Sequence, residues 1–247
     1  MKRHDISNLN ISIHLLDFQY VEEPSYSCSS RLQHQPLTGK HVILERLAQK
    51  HFPDLYENIG SHADLWTWWP DEPVSTASEF DDYLNEFLKL SEDLVIYAVL
   101  PLSGPNKGKA LGLAFALSED RLTNRVAERG LFYGPQLQRT RAGTEAVYLL
   151  GGLMFELNHR RLGWKTNSLN LQSRKAAERY GFVCEGTHRQ DQINKGRSRD
   201  SVWYSIIDSE WPICRKAFEM WLEDGNFDEQ QRQRRRVEEI RESLSKV

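Results

Sequence analysis

Apolar positions become regular only from "HVILERL" onward, and from there their period alternates between that of strands and that of helices. The pattern predicts a strand over 41–47, a helix near 49–60, and a second helix over 76–90 capped by Thr76 or Ser75. Between the helices lies a Trp-rich turn, "DLWTWWPDEP". "LVIYAVL" (94–100), "KALGLAFAL" (109–117) and "VAERGLFYG" (126–134) then read as strands of an antiparallel meander, because "SGPNKG" and "SEDRLTN" supply the Gly, Pro and Asn of tight connections. A helix follows from "RAGTEA" to about Asn158. "RLGWKTN" (161–167) is a strand, "QSRKAAERYG" (172–181) a helix ending at Gly181, and "FVCEGTHRQ" and "RDSVWYSII" (199–207) are strands. Residues 213–223 look helical, and "QQRQRRRVEEIRESL" reads as a charged, solvated terminal helix without a strong apolar stripe. The order is mixed α/β.

The 247 residues suggest one large domain with extensions. Residues 1–36, with "SYSCSSRLQHQP" as a linker, form an expected N-terminal arm packed outside the core; 37–212 form the domain, and 213–247 a helical extension. Thirty-two Lys and Arg against 35 Asp and Glu give a net charge of −3, which carries no bulk footprint of nucleic-acid binding. Cys28, Cys184 and Cys214 are an odd, widely spaced set, suited to reduced structural thiols and to neither a disulfide framework nor a zinc cluster. No apolar stretch approaches the ~18 residues of a membrane span, and the N-terminus lacks a signal-peptide core. A cytoplasmic protein with no membrane partner, monomeric or homodimeric, is expected. Walker-type, GxSxG and HExxH motifs are absent.

Against this plain background the helix entrance "QLQRTRAGTEA" (136–146) stands out, since capping requires one polar residue and this stretch supplies many. A helix N-terminus offers unpaired N–H groups and the positive end of the helix dipole, which suit a diphosphate. Gly143 would let a ligand approach the main chain, Thr140 and Thr144 offer hydroxyls, and Arg139 and Arg141 add fixed positive charge.

The ordered set of motifs resembles the GNAT N-acetyltransferases, and specifically the branch containing the ribosomal-protein N-terminal acetyltransferases (RimJ/RimL-like). Glu128, Gly130 and Pro135 fit that family's strand before the cofactor loop; Gln138 opens the loop, Gly143 takes its small-residue position, and "TEA" stands intact at 144–146. "NLQSRKAAERYGF", "EGTHRQ" and "GRSRDSVWYSII" match the second half. Arg141 departs from the pattern, standing where the first glycine is expected, and a required positive φ there would be costly.

The resemblance implies an α+β GNAT fold: a mostly antiparallel sheet of six to seven strands, a splayed central strand pair and flanking helices. It implies acetyl-CoA as co-substrate, no metal, and direct transfer to a primary amine of a small molecule, amino acid or peptide N-terminus. Gln138, Arg139, Thr140, Arg141, Ala142, Gly143 and Thr144 would cradle the pyrophosphate, main-chain groups near Leu131 and Tyr133 would pair with the pantetheine arm, and Asn170 would hold that arm by its amide. Glu128 is the expected general base, with a surface ion pair to Arg125 or Arg129 as the plain reading and Glu185, Asp200, Asp71 and Glu72 as other carboxylates of interest. Ser173 is the expected donor to the leaving sulfur, because Ala177 stands where many relatives place a tyrosine; helix capping is its plain reading. Trp66 and Trp69, which share a face by i, i+3 spacing, and Asp71 are expected at the acceptor, with core and lid packing as the plain reading. Tyr180 is expected in the core. Two further classes stay open: an acyl-CoA-binding regulator that has lost its chemistry, and a protein-interaction module.

Overall fold

In "LVIYAVLP" nearly every residue is buried, a run without alternation that arises where both faces of a strand are covered. The computed structural model describes residues 35–89, 94–119 and 126–246. Most of the expected N-terminal arm, with Cys28, and residues 120–125, with Arg125, lie outside the described residues. The chain runs through β1 (Leu37–Thr38), β2 (Val42–Arg46), α1 (Phe52–Leu55), α2 (Ala77–Leu88), β3 (Leu94–Pro101), β4 (Gly112–Glu119), β5 (Val126–Tyr133) and α3 (Arg141–Glu156). It continues through β6 (Arg161–Asn167), α4 (Leu171–Tyr180), β7 (Val183–Asn194), β8 (Arg197–Ile207), α5 (Trp211–Leu222) and α6 (Val237–Leu244).

All strands join one sheet in the order β1-β2-β3-β4-β5-β6-β8-β7. Eight strands exceed the six to seven expected; the addition is the two-residue β1, too short to carry a period. Among the described residues only β5 and β6 pair in parallel. Along β3, Val95, Tyr97 and Val99 enter a core shared with α3, α4, α5 and α6, while Ile96, Ala98 and Leu100 enter a second core under α1 and α2. The period-2 alternation of a strand thus divides one apolar run between two layers.

Two expected helices change on folding. The helix expected near 49–60 breaks into a 3-10 turn (Gln49–His51), α1 and a π turn (Tyr56–Gly60), with Pro53 restarting the chain in the first turn of α1. The charged terminal helix begins only at Val237, and it does carry an apolar stripe: Val237 and Ile240 are 1% and 2% exposed in the main core. Arg241 donates to the carbonyls of Arg179 (2.9 Å) and Glu178 (3.1 Å), bringing positive charge to the C-terminus of α4. Residues 227–236 are irregular, tied by Asn226, whose side chain bonds Trp221 and Arg235 main chain.

Glu145 of the "TEA" triplet shows how α3 is fixed to the sheet. Its buried carboxylate accepts from the backbone N–H groups of Lys40 (2.8 Å) and His41 (2.6 Å) in the β1–β2 turn and of Val42 (3.0 Å) at the start of β2. A Cβ on Gly39 would stand 2.4 Å from the Glu145 Cδ, so the turn needs glycine for space. Glu145→Ala strands three donors at about 1 kcal/mol each, the low end for such groups. A stability loss of about 3 kcal/mol is expected, which at 2–4 °C per kcal/mol lowers Tm by about 6–12 °C. Thermal denaturation of Glu145→Ala checks this, and an unshifted Tm would refute the clamp.

Candidate active site

The parallel pairing of β5 with β6 covers only Val126↔Arg161, Ala127↔Leu162 and Glu128↔Gly163. Beyond Glu128 the two strands part, while β5 stays paired with β4 up to Tyr133 and β6 with β8 up to Asn167. The splayed pair expected from the resemblance is therefore present, with Glu128 at the fork. A cleft of about 2030 Å3 runs through the gap. Leu131, Tyr133, Gln138, Arg139, Thr140, Arg141, Ala142, Asn170, Ser173 and Trp69 all line it, so most of the residues singled out in the sequence meet in one place.

The loop before α3 is built from its own hydrogen bonds. Thr140, extended at φ −98° and ψ 165°, caps α3: its Oγ1 accepts from Gly143 N–H at 3.0 Å and donates to Leu137 O at 2.7 Å. Gly143 turns away from the cleft, because a Cβ there would lie 2.5 Å from the Leu137 carbonyl oxygen; its glycine serves the folding of the loop and not ligand approach. Thr144 is buried behind the loop, where its Oγ1 accepts from Arg179 at 3.3 Å. The expected cradle is shortened accordingly. Among the described residues, the backbone N–H groups of Arg139, Thr140, Arg141 and Ala142 have no protein acceptor, and all four residues line the cleft. Arg141 opens α3 as an ordinary helical residue; the positive φ of this loop falls on Arg139, at 60°. Gln138 donates its amide to Tyr133 O at 3.0 Å, so that carbonyl already has a partner.

Arg141 turns toward the C-terminal segment. Its guanidinium stacks 3.4 Å from the Phe227 ring centroid and donates to Asp224 at 3.1 Å, while its Nε is buried without an acceptor. Lys40, bonded to Asp224 at 2.6 Å, and Arg141 beside it hold that carboxyl below the usual range. Lys175, Arg179 and Arg232 also line the cleft; Arg232 is paired with Asp228 at 2.8 Å, whereas Lys175 and Arg179 have no ion pair among the described residues.

A second helix N-terminus faces the cleft at α4. Asn170 Oδ1 accepts the Ser173 N–H at 3.0 Å, which is a cap, and Ser173 Oγ accepts the Trp164 indole N–H at 3.0 Å. With that lone pair occupied, the Ser173 hydroxyl proton is left to donate outward. Ala177 is fully buried, and Tyr180 stacks on Phe218 in the core as expected.

At the other end, the Trp-rich stretch forms a 3-10 helix (Ala63–Trp68). Trp66 is corrected: it is fully buried, donates to Ile59 O at 3.3 Å, and does not line the cleft. The helix stops at Trp68 and Trp69 turns extended at ψ 145°, yet the i, i+3 pair keeps a shared face: both rings meet Phe132, Trp66 edge-on at 5.3 Å, and both contact Tyr83. Trp68, 40% exposed, and Trp69, stacked on Phe132 at 4.4 Å, form the wall. Trp69 donates to the Tyr83 hydroxyl at 2.6 Å, which donates to Asp71 at 2.7 Å; burial raises the Tyr83 pKa and keeps that hydroxyl protonated. Asp71 is thereby tied outside the cleft lining, contrary to its expected place at the acceptor.

The side chains of Glu128 and Arg129 lie outside the described residues. Glu185 is bound by Arg161 and by Ser205 at 2.7 Å; burial acts to raise its pKa, but those hydrogen bonds outweigh it and hold the carboxyl low. Asp200 accepts the Gln190 N–H at 2.7 Å, a structural bond within the β7–β8 hairpin. The sequence reading missed Trp68, Trp164, Arg199 and the Phe227–Gln233 wall. Trp164 and Arg199 carry no motif of their own and become visible only through register.

A family model for the acetyltransferase (GNAT) domain matches residues 41–183. The chain is similar to a GCN5-related N-acetyltransferase from Brucella melitensis at 35% identity and TM-score 0.80, over 86% of this chain and 96% of that one. A GNAT-family chain from Chromobacterium violaceum ATCC 12472 aligns at 30% identity and TM-score 0.70, over 77% and 96%. The Microcin C7 self-immunity acetyltransferase MccE, solved with acetyl-CoA and AMP, shares the fold at 22% identity and TM-score 0.58, over 68% and 93%. No curated protein matches the chain.

Proposed function

The chain belongs to the GNAT acetyltransferase family, and from that premise we propose that it is an N-acetyltransferase that moves an acetyl group from acetyl-CoA directly to a primary amine. The observation that carries the donor assignment is the row of four acceptor-less N–H groups at Arg139–Ala142. They open a helix beside Arg139, Lys175 and Arg179, cations without an ion pair among the described residues, a setting that suits a pyrophosphate. The buried, acceptor-less Arg141 Nε fits the same anion. MccE, whose structure contains acetyl-CoA, lends support through the shared fold. Placement in the RimJ/RimL-like branch rests on the sequence motifs around Gln138, Asn170 and Ser173.

Acetyl-CoA supplies an acyl carbon activated as a thioester. The chain's own contribution is to hold that arm along the unpaired edge of β5 near Leu131, to make the amine neutral, and to meet the leaving sulfur with a proton. An extended ligand completes a strand edge in the way a peptide does. Glu128, at the fork, is assigned the proton of the acceptor ammonium. Ser173, its lone pair engaged by Trp164, is assigned the donation toward sulfur. Ser173→Ala is expected to lower kcat about tenfold at every pH, since one hydrogen bond is lost and no titrating group is removed. Steady-state kinetics check this, and an unaltered kcat would reduce Ser173 to a structural role.

The test of the function itself is saturable stabilisation of the fold by acetyl-CoA together with CoA thiol release on a panel of amines. Stabilisation without thiol release would point to a regulator. No stabilisation would remove the acetyl-CoA reading altogether.

A further inference from the structure

The β7–β8 hairpin reaches back over the acceptor end of the cleft, where Lys195 at its tip donates to Trp66 O at 2.8 Å and stands 4.0 Å from Glu72. Arg199 lines the cleft from this hairpin and is only partly exposed. In the amide orientation that satisfies both ends of Asn194, the Asn194 oxygen accepts from Arg199 NH1 at 2.8 Å. Arg199 Nε is sealed from solvent with no acceptor, and Arg199 forms no ion pair among the described residues. Its neighbouring carboxylates are engaged elsewhere: Asp191 pairs with Lys165 at 2.7 Å, and Asp200 accepts the Gln190 N–H. Lys165 of β6 also lines the cleft, so Arg199 shares its nearest carboxylate, Asp191, with the lysine that is bonded to it; Asp64 lines the cleft beside Trp68.

A guanidinium is effectively always charged, and a partly desolvated one whose nearest carboxylate, Asp191, is bonded to Lys165 instead is costly unless an anion arrives with the substrate. We propose that Arg199 recognises an oxyanion on the acceptor, so that the amine acetylated by this protein belongs to a molecule that also carries a carboxylate or a phosphate. The inference rests on the acetyl-transfer reading and narrows its substrate class. The remaining guanidinium N–H groups can donate to either oxyanion, whereas a purely cationic acceptor such as a polyamine would meet repulsion from Lys165 and Arg199. Trp68 and Trp69 form the apolar wall of the same cleft, suited to the body of such a molecule.

Matched pairs decide the matter: phenylalanine against phenethylamine for the carboxylate, and phosphoethanolamine against ethanolamine for the phosphate. Thiol release with acetyl-CoA and calorimetric titration into the CoA-saturated protein are both measured. In the wild type the anionic member of one pair is expected to exceed its neutral-tailed counterpart at least about tenfold in kcat/KM, through KM, and the responding pair identifies the oxyanion. In Arg199→Met that ratio should fall toward one, and Arg199→Lys should keep part of it; thermal denaturation confirms that each variant is folded. A wild-type ratio near one in both pairs, or a ratio untouched by Arg199→Met, overturns the proposal. If no amine is turned over, the acetyl-transfer reading fails, and the titration still judges Arg199 alone. Anion-dependent binding abolished in Arg199→Met upholds the subsite, and its absence in the wild type overturns it.

Discussion

Gly143→Asp is expected to weaken acetyl-CoA binding about hundredfold, or about 2.7 kcal/mol, while leaving the sheet and its two cores folded. Two effects act together. Any Cβ at this position meets the Leu137 carbonyl oxygen at 2.5 Å and the Tyr133 ring at 3.3 Å, so the loop must shift and the N–H row at Arg139–Ala142 loses its alignment. The added carboxylate then repels the diphosphate at the helix N-terminus. Gly143→Ala separates the effects. Because the loop's own backbone is the obstacle, alanine should already cause most of the loss; if glycine were needed only for ligand approach, alanine would be mild and aspartate severe. Calorimetry on both variants reads the difference, and wild-type affinity in Gly143→Ala would contradict the packing account.

That contrast marks what was legible in the sequence. Elements with strong local determinants stand where the pattern predicts them: Thr76 caps α2 by accepting from Glu79 N–H at 3.2 Å, and Gly181 ends α4 at φ 101°. The β7–β8 turn was written in "NKG", where Lys195 (φ 51°) and Gly196 (φ 69°) both take positive φ, yet the stretch carries too little apolar signal to join the strands. The crowding of polar residues at 138–144 does stand at the entrance of α3, beside the cleft. It did not reveal that Thr140 and Gly143 satisfy each other inside the loop, because spacing along a chain does not show which donors are already bonded. Trp66 failed for a related reason. It shares Phe132 and Tyr83 with Trp69, as the i, i+3 spacing predicts, but spacing does not show which of the pair is sealed in the core and which reaches the cleft. The C-terminal segment hid its contribution because its apolar anchors, Phe227, Val237 and Ile240, are dispersed among arginines and glutamates that dominate the composition.

Glu128→Gln should lower kcat/KM by roughly 10²-fold near neutral pH, the low end for removing a general base. Glu128 occupies the last residue pair before β5 and β6 part, so its backbone stands where the cleft enters the sheet. The carboxylates that could replace it are poorly placed to do so. Glu185 is held low by Arg161 and Ser205 and is correspondingly weak as a base; Asp200 and Asp71 are committed to Gln190 and Tyr83. The pH profile carries the diagnosis. An acceptor ammonium needs the carboxylate most where it is fully protonated, and as pH rises toward the amine's own pKa an increasing fraction arrives neutral. The defect of Glu128→Gln should therefore shrink with rising pH, whereas that of Ser173→Ala stays constant, and acetyl-CoA affinity should survive both changes. A Glu128→Gln profile running parallel to wild type would remove Glu128 as the base and leave Asp64, the carboxylate that lines the cleft beside Trp68, as the next residue to replace.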